Sequence, residues 1–417
     1  MRNRRVHALV IFLLAATTIL PAQIRLNHQL NITGAGARAA AMGGAFIGVA
    51  DDATAIVWNP AGLTQLERME VSAVGRYIFE DVEQSYNNQP SENESETQTH
   101  PVFNFGSFAI PFSMGKEVKG VFAAAYQRQL DFYYNNADSA SEAKETGGAD
   151  TFSPGLALGI GSIFSVGVAA NVWFGSDTYE ITSLPARDEK WTYDGTVKGV
   201  NFLVGVLVDL SGLRKPIPIK IGMCVRTPFD LNSDYSYNFT PPLFGQYSQL
   251  EASVTREMPF MFGIGASARP WENLTLSLDY ETRKYGDKQT VYSIKSPVLT
   301  ETENISESKS DINQIRAGIE YLIVTRGGVF PLRAGYQNVP TLLANYSYNG
   351  QTQQYDPGDQ VKGTGFSVGT GFISNSIALD LTYSRIRYEQ TYSMNGATML
   401  TSQYTEQAIT GSLIVYF

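Results

Sequence analysis

From about residue 69 to the C-terminal Phe417 the chain repeats one pattern, segments of about ten residues with apolar side chains at every second position. Phe260 to Ser267 reads Phe-Met-Phe-Gly-Ile-Gly-Ala-Ser, Leu274 to Tyr280 reads Leu-Thr-Leu-Ser-Leu-Asp-Tyr, and Phe366 to Phe372 reads Phe-Ser-Val-Gly-Thr-Gly-Phe. A period of two belongs to strands, whose successive side chains point to opposite faces. No stretch within this region reads as a spanning helix: the most apolar one, Val200 to Leu210, is short and interrupted by Asn201, Gly205 and Asp209. The 38 Gly, 23 Tyr and 22 Phe suit strands and turns better than helices.

The first residues are a targeting signal. Arg2, Arg4 and Arg5 form a basic n-region, Val6 to Leu20 an apolar h-region, and Pro21-Ala22 a cleavage point near Ala22 or Gln23. Residues 1–22 are therefore expected to be removed on export. That takes away three basic and no acidic residues, lowering the formal charge from -9 to -12, which argues against nucleic acid as a partner.

Alternation alone does not say which face meets what. In a soluble sandwich the apolar face looks inward, whereas in an outer-membrane barrel it meets lipid and the lumen is small or polar. Three features favour the barrel. Tyrosines gather near strand ends, at Tyr133, Tyr134, Tyr235, Tyr237, Tyr285, Tyr388 and Tyr392, in the manner of interfacial girdles. Short and long connections alternate, and the chain ends Gly-Ser-Leu413-Ile-Val415-Tyr-Phe417, which resembles the terminal signature of outer-membrane barrels. Candidate strands fall at 69–79, 102–113, 117–133, 150–160, 163–181, 189–210, 216–237, 250–268, 272–293, 306–322, 329–339, 360–374, 376–393 and 400–417, fourteen in all. An even count places the short links Ser113–Lys116, Leu210–Lys215, Pro270–Glu272 and Ser374–Ser376 together on the periplasmic side. The long links, led by Glu80 to His100, become extracellular.

The expected fold is thus all-β, a transmembrane antiparallel barrel over residues 69–417. Ahead of it, residues 23–68 are too long and too apolar for a tail. The Ala-rich run around Arg38 favours a short helix, Asp51 or Asp52 can cap a second, and Pro60 to Gly62 forces a turn. Such an Ala/Gly-rich piece fits the confined lumen that a fourteen-strand barrel otherwise leaves open. It is the expected hatch.

Within it, Ala-Met-Gly-Gly-Ala, the paired Asp51-Asp52 and above all Asn59-Pro60-Ala61-Gly62-Leu63 resemble the hatch of the FadL/TodX family of outer-membrane transporters for fatty acids and hydrocarbons. Weaker likeness runs through Ile221 to Phe229, Pro259 to Tyr280 and Leu332 to Tyr336. The resemblance implies a barrel plugged by a hatch, in the outer membrane of a Gram-negative-type bacterium. It also implies passive uptake of hydrophobic molecules, with hatch rearrangement and sideways exit through the wall. Barrels resembling this family also include secretion-system cargo shuttles, and a surface adhesin on the same scaffold is a further reading. Expected partners are a hydrophobic small molecule, outer-membrane lipid, and the barrel-assembly machinery through the strand ending in Phe417.

Alternation nominates the lumen. If Val166, Val168, Ala170, Val172 and Phe174 face lipid, then Asn171 and Trp173 face inward; if Val200 to Val208 do, Leu203 and Leu207 face inward, and Met261 follows the same rule. Phe46, Trp58, Trp173, Leu203, Leu207 and Met261 are the ligand-path candidates, with hatch packing as the alternative use of the same apolar surface. Lys220, Arg226, Asp279, Glu281, Arg316, Glu320, Arg333 and Asp380 are the inward charges. Their mixed signs suggest ion pairs between hatch and wall, with Arg226, Arg316 or Arg333 as alternative carboxylate binders. Val121 to Tyr126, where alternation lapses before Gln127, suggests an irregular wall.

Nothing in the sequence points to catalysis, a metal or a cofactor. Gly365-Phe-Ser-Val-Gly369 matches a nucleophile elbow only in letters, lying on an alternating strand, and Gly363-Thr-Gly365 lacks the Lys-Ser/Thr of a phosphate loop. With Cys224 the lone cysteine, no internal disulfide forms. After export the histidines are His28, expected in the hatch, and His100, expected in an extracellular loop.

Overall fold

The computed structural model describes residues 34–417 apart from 88–89, 116–117, 138–140, 184–189, 244–246, 297–298 and 307–309. Residues 1–33, with the expected signal peptide and His28, lie outside the described residues. Fourteen staves form one closed antiparallel barrel. In chain order they are β1 (Glu70–Tyr86), β2 (Glu94–Met114), β3 (Val118–Asp131, resumed at Tyr134–Ala137), β4 (Ser141–Ile160), β5 (Phe164–Ser183) and β6 (Lys190–Asp209). Next come β7 (Ile219–Arg226 and Phe229–Leu243), β8 (Tyr247–Met258 and Met261–Trp271), β9 (Leu274–Arg283 and Gln289–Ser296) and β10 (Leu299–Ser306 and Ile312–Thr325). The last four are β11 (Gly328–Asn349), β12 (Gln354–Ile373), β13 (Ile377–Met394) and β14 (Ala397–Tyr416). The breaks in β7 and β8 fall at Pro228 and Pro259, residues that give the ladder no N–H.

Each stave pairs with the next, and the barrel closes where β1 meets β14, from Glu70 opposite Tyr416 to Tyr86 opposite Leu400. Closure removes the open edge that a single sheet would present to lipid. The alternation resolves as the sequence predicts. On β6, Val200, Phe202 and Val204 are exposed while Asn201 and Leu203 are buried to 1%. Leu278, Val368 and Phe366 stand out in the same way on β9 and β12. Large apolar residues outside and small or polar ones inside are the pattern of a barrel solvated by lipid.

Four expectations need correction. First, the staves run well past the apolar belt on the long-link side, so 80–100 is mostly hairpin rather than loop, as is 340–359. Beyond the lipid both faces of a strand are polar, and alternation falls silent. Second, His100 accordingly sits on β2, opposite Ile78, not in a loop. Third, the clustered tyrosines do not all girdle the belt: Tyr237 and Tyr285 are buried, and Tyr134 and Tyr388 line the lumen. Fourth, Val121 to Tyr126 pairs without interruption on both sides. The register slips lie higher, between Arg128 and Leu130 on β3 and at Asn104 on β2, where Val74 faces Phe105 but Gly75 faces Phe103.

Candidate functional site

Inside the barrel, residues 34–68 form the hatch: helix α1 (Ala37–Ala41), helix α2 (Ala55–Trp58) and a 3-10 turn over Pro60–Gln65. Neither helix is long enough to stand alone in water, so both depend on packing. Met42, Phe46, Ile56, Trp58 and Leu63 make the hatch core, and it continues into Phe105, Ala123, Ala157 and Ala169 of the wall. The small wall residues let the hatch approach closely.

The hatch motif explains itself atom by atom. Asn59 is fully buried; its Nδ2 donates to Ile47 O and to Val206 O of β6, each at 3.0 Å, and its Oδ1 accepts from Ala61 N at 3.2 Å. It therefore caps the following turn and also ties hatch to wall. Pro60 occupies the first position of that turn, where no N–H is needed. Ala61 is fully buried, and a Cβ on Gly62 would come within 2.1 Å of Ala50 O. Asp52 Oδ1 accepts from Thr54 N at 2.8 Å and Thr54 Oγ1 at 2.5 Å, so it shapes the turn into α2 without capping the helix itself. Burial pushes the Asp52 carboxyl above its ordinary value, against the pull of the Arg38 guanidinium.

Wall glycines complete the seat. A Cβ on Gly205 would lie 2.0 Å from Asn59 Oδ1, on Gly222 2.2 Å from Ile47 O, and on Gly335 1.9 Å from Gly43 N. A side chain at Gly222 or Gly335 would displace the hatch backbone and one at Gly205 the Asn59 side chain, a close approach that sequence inspection shows only as scattered strand glycines.

Arg38 carries the charge contacts from hatch to wall. It pairs with Asp51 in the hatch and with Glu320 of β10 through two bonds of 2.9 Å. Glu320 in turn accepts from Arg333 Nε at 2.6 Å, and Arg333 Nη1 donates to Asp380 at 2.6 Å. Arg316 pairs with Glu281 at 3.0 Å and lies over the Trp58 ring, its Cζ 5.7 Å from the centroid. Arg226 faces Leu203 and Met261 across the ladders. Asp279 accepts from Ile47 N at 2.8 Å, and Lys220 bonds Gln65. The expected hatch-to-wall ion pair is thus Arg38 with Glu320, and Arg333 is occupied in sustaining it. A buried pair of this kind costs about 3–5 kcal/mol to break from one side.

The ligand-path candidates divide. Leu203 and Met261 pack with Cys224 against Ile47 of the hatch, and Phe46 sits in the hatch core edge-on to Trp58. Leu207 is buried opposite Gly222. Trp173 donates to Asn201 Oδ1 at 2.7 Å and stacks near Phe229, in a packed inward cluster with Leu231, Met258 and Ile312. Side chains therefore fill the β5–β8 side of the lumen above the hatch.

Open space lies across from it. A cavity of about 370 Å³ is walled by β1, β2, β3, β11, β13 and β14, mixing Ile78, Val82, Val102 and Val339 with charged groups. Below it a second space of about 40 Å³ reaches Gly43, Gly44 and Trp58 of the hatch. The two share Arg76, Asn104, Gln337 and Ile386. Of the six path candidates, Trp58 borders a cavity. His100, Arg128 and Tyr404 were not singled out as lumenal, because their stretches lie above the lipid belt where alternation gives no face.

No known protein-family model matches the chain, and no curated protein matches it in sequence. Solved structures do. The toluene transporter TodX of P. putida superposes with a TM-score of 0.64 at 13% identity, covering 93% of this chain and 99% of that one. A FadL homologue of Pseudomonas aeruginosa gives 0.62 at 14% identity, covering 89% and 96%. The toluene transporter TbuX of Ralstonia pickettii gives 0.59 at 14%, covering 93% and 99%. Across nearly its whole length, this chain has the hatch-plugged barrel fold that those transporters share.

Proposed function

We propose that the protein is an outer-membrane transporter for passive uptake of hydrophobic small molecules, fatty-acid-like or hydrocarbon. The observation that carries this reading is the lumen itself. A barrel sealed by a hatch still holds a partly apolar cavity large enough for a small organic molecule, and that cavity leads down to the hatch beside Trp58. The fold shared with two toluene transporters supports the same reading. A ligand entering from the long-link side gains apolar contact in stages, at about 25 cal/mol per Å² buried, and then leaves for lipid.

Further passage needs the hatch to yield, because the lower space is smaller than an aromatic ring. Sideways exit fits the wall at β1, β2 and β14. There the Asn104 bulge interrupts the ladder, and an apolar groove bordered by Gly75, Phe103 and Gly411 lies on the outer face. No atom stands within 4 Å of where a Gly411 Cβ would be.

The test is uptake by cells with and without the protein, using labelled toluene, an alkane and a fatty acid, together with mass spectrometry of an organic extract of the purified protein. Uptake of at least one class should fall on deletion. Equal uptake for every class, with no bound lipid or hydrocarbon, refutes transport and favours the cargo-shuttle or adhesin reading.

A further inference from the structure

Above the hatch the lumen is divided. On β11, three residues, Thr341 to Leu343, stand between Pro340, opposite Lys362 of β12, and Ala344, opposite Gln360, where β12 offers Val361 alone. Every residue from Val339 to Leu343 is buried, whereas a stave that stays in the wall buries alternate positions. The bulge is held by its own bonds rather than by the ladder. Thr341 Oγ1 donates to Val361 O at 3.0 Å and accepts from Leu343 N at 3.2 Å, and Gln360 Nε2 donates to Thr341 O at 2.9 Å.

The bulge delivers Leu342 to an inward cluster with Leu130, Phe132, Trp173, Met258 and Ile312. At the far end of that cluster β3 carries a bulge of its own. One extra residue between Arg128, opposite Asp150, and Leu130, opposite Ala149, passes the inward run of Ala123, Ala125 and Gln127 on to Leu130. Apolar side chains thus close the arc from β3 round to β11. The open cavity of about 370 Å³ takes the complementary arc, and the two meet at the bulged staves, where Gln129 and Val339 line the cavity. Close-packed side chains yield only by repacking, so the cluster is a rigid partition beside the ligand's way in.

We propose that this partition sets the girth of the molecules the barrel admits, with Leu342 as the specificity-determining residue. A flat or linear hydrocarbon fits the open arc, while a molecule branched on several sides has to displace the cluster. This inference rests on the uptake reading above and adds to it a limit on ligand shape. The bulge is also removable. Its two surplus residues leave Pro340 and Ala344 on one face, so taking out Thr341 and Leu342 restores one-to-one pairing with Val361 and turns neither flank of β11 over.

The test compares initial uptake by cells with and without the protein. Toluene, n-decane and palmitate are the narrow probes, and 1,3,5-triisopropylbenzene is the wide one. After subtraction of uptake by cells lacking the protein, the wild type should carry at least one narrow probe roughly tenfold faster than the wide one. Leu342→Ala, and more so removal of Thr341 and Leu342, should raise the ratio of wide to narrow uptake roughly fivefold or more. Conductance of single barrels should stay at the wild-type level, since the hatch contacts lie elsewhere. Heat-modifiable gel mobility shows which variants fold, and where neither does the wild-type ranking decides. Equal wild-type uptake of wide and narrow probes, a folded bulge deletion with the wild-type ratio, or a ratio that rises only together with conductance overturns the partition and leaves uptake standing. No protein-dependent uptake of any probe overturns both.

Discussion

Asn59→Ala is the sharpest test of how the hatch is seated. The substitution removes the side-chain acceptor for Ala61 N and both donations, to Ile47 O inside the hatch and to Val206 O on β6. Loss of the cap costs about 1 kcal/mol and each remaining hydrogen bond about 1 more, so the seat weakens by about 3 kcal/mol. At 1.4 kcal/mol per tenfold, the fraction of molecules with the hatch displaced rises roughly a hundredfold. No contact between neighbouring staves is touched, so the barrel itself should remain heat-modifiable. The assay is current through single barrels in a planar bilayer, with protease cleavage within 34–68 as an independent readout. Asn59→Asp separates the parts: it keeps the acceptor for Ala61 N but sets a carboxylate against two carbonyl oxygens, so it should leak at least as much as Asn59→Ala. Asn59→Ala with wild-type conductance and protection would refute the reasoning outright. A tight Asn59→Asp beside a leaky Asn59→Ala would show that capping matters and the bridge to Val206 does not.

Gly335→Ala places a Cβ 1.9 Å from Gly43 N, and should increase entry of small polar solutes into proteoliposomes while leaving the barrel folded. Because burial raises the Asp52 carboxyl, its ionised form weakens the hatch as pH rises through the carboxylate range. Asp52→Asn should therefore leak less than the wild type at neutral pH, and the difference should vanish on acidification. Leu278→Arg on the lipid-facing side of β9 should cost about 2–4 kcal/mol in folding into lipid vesicles, measured by urea titration, if that face meets hydrocarbon at mid-depth. Deleting Phe417, exposed at the end of the closing strand, should lower the yield of folded barrel in the outer membrane without changing transcript level.

How far the sequence could be read follows from which solvent each segment meets. Where a stave crosses lipid, the outer face must be apolar and the inner face small or polar, so Val200 to Val208 announces both strand and orientation. Past the belt that demand stops. Tyr346 and Tyr392, stacked with centroids 5.4 Å apart on the extended part of the barrel, left no alternation to read. The hatch was legible through Asn59-Pro60-Ala61-Gly62, because capping and close packing each require one residue type. Its wall partners were not, since Gly205 and Gly335 mean something only once the backbone opposite them is known. Trp173 is buried on the inward side, yet inward does not mean open: Asn201 and Phe229 occupy the space around it.

The two kinds of hatch contact also bear on how a ligand would pass. Toward β1–β5 the hatch packs largely through apolar side chains, with two directed bonds, from Ala53 N to Glu70 of β1 and from Thr64 Oγ1 to Ser165 of β5. Toward β6–β13 it is held by directed bonds: Asn59 to Val206, Ile47 to Asp279, Ser267 to Gly48, Thr382 to Ala37, and Arg38 to Glu320. Moving the hatch as one body would break all of these together, at a cost comparable to the whole stability of a small domain. The segment at Gly43 and Gly44 is different. It borders the lower cavity, both glycines have positive φ, and its hydrogen bond to the wall is the 3.1 Å contact from Gly43 N to Ser367 Oγ. A local shift there gives up that bond and the turn's own bonds from Gly43 N to Ala40 O, Gly44 N to Ala39 O and Ala45 N to Met42 O, about 4 kcal/mol in all and less than displacing the whole hatch, so the uptake reading favours a moving turn over a moving hatch.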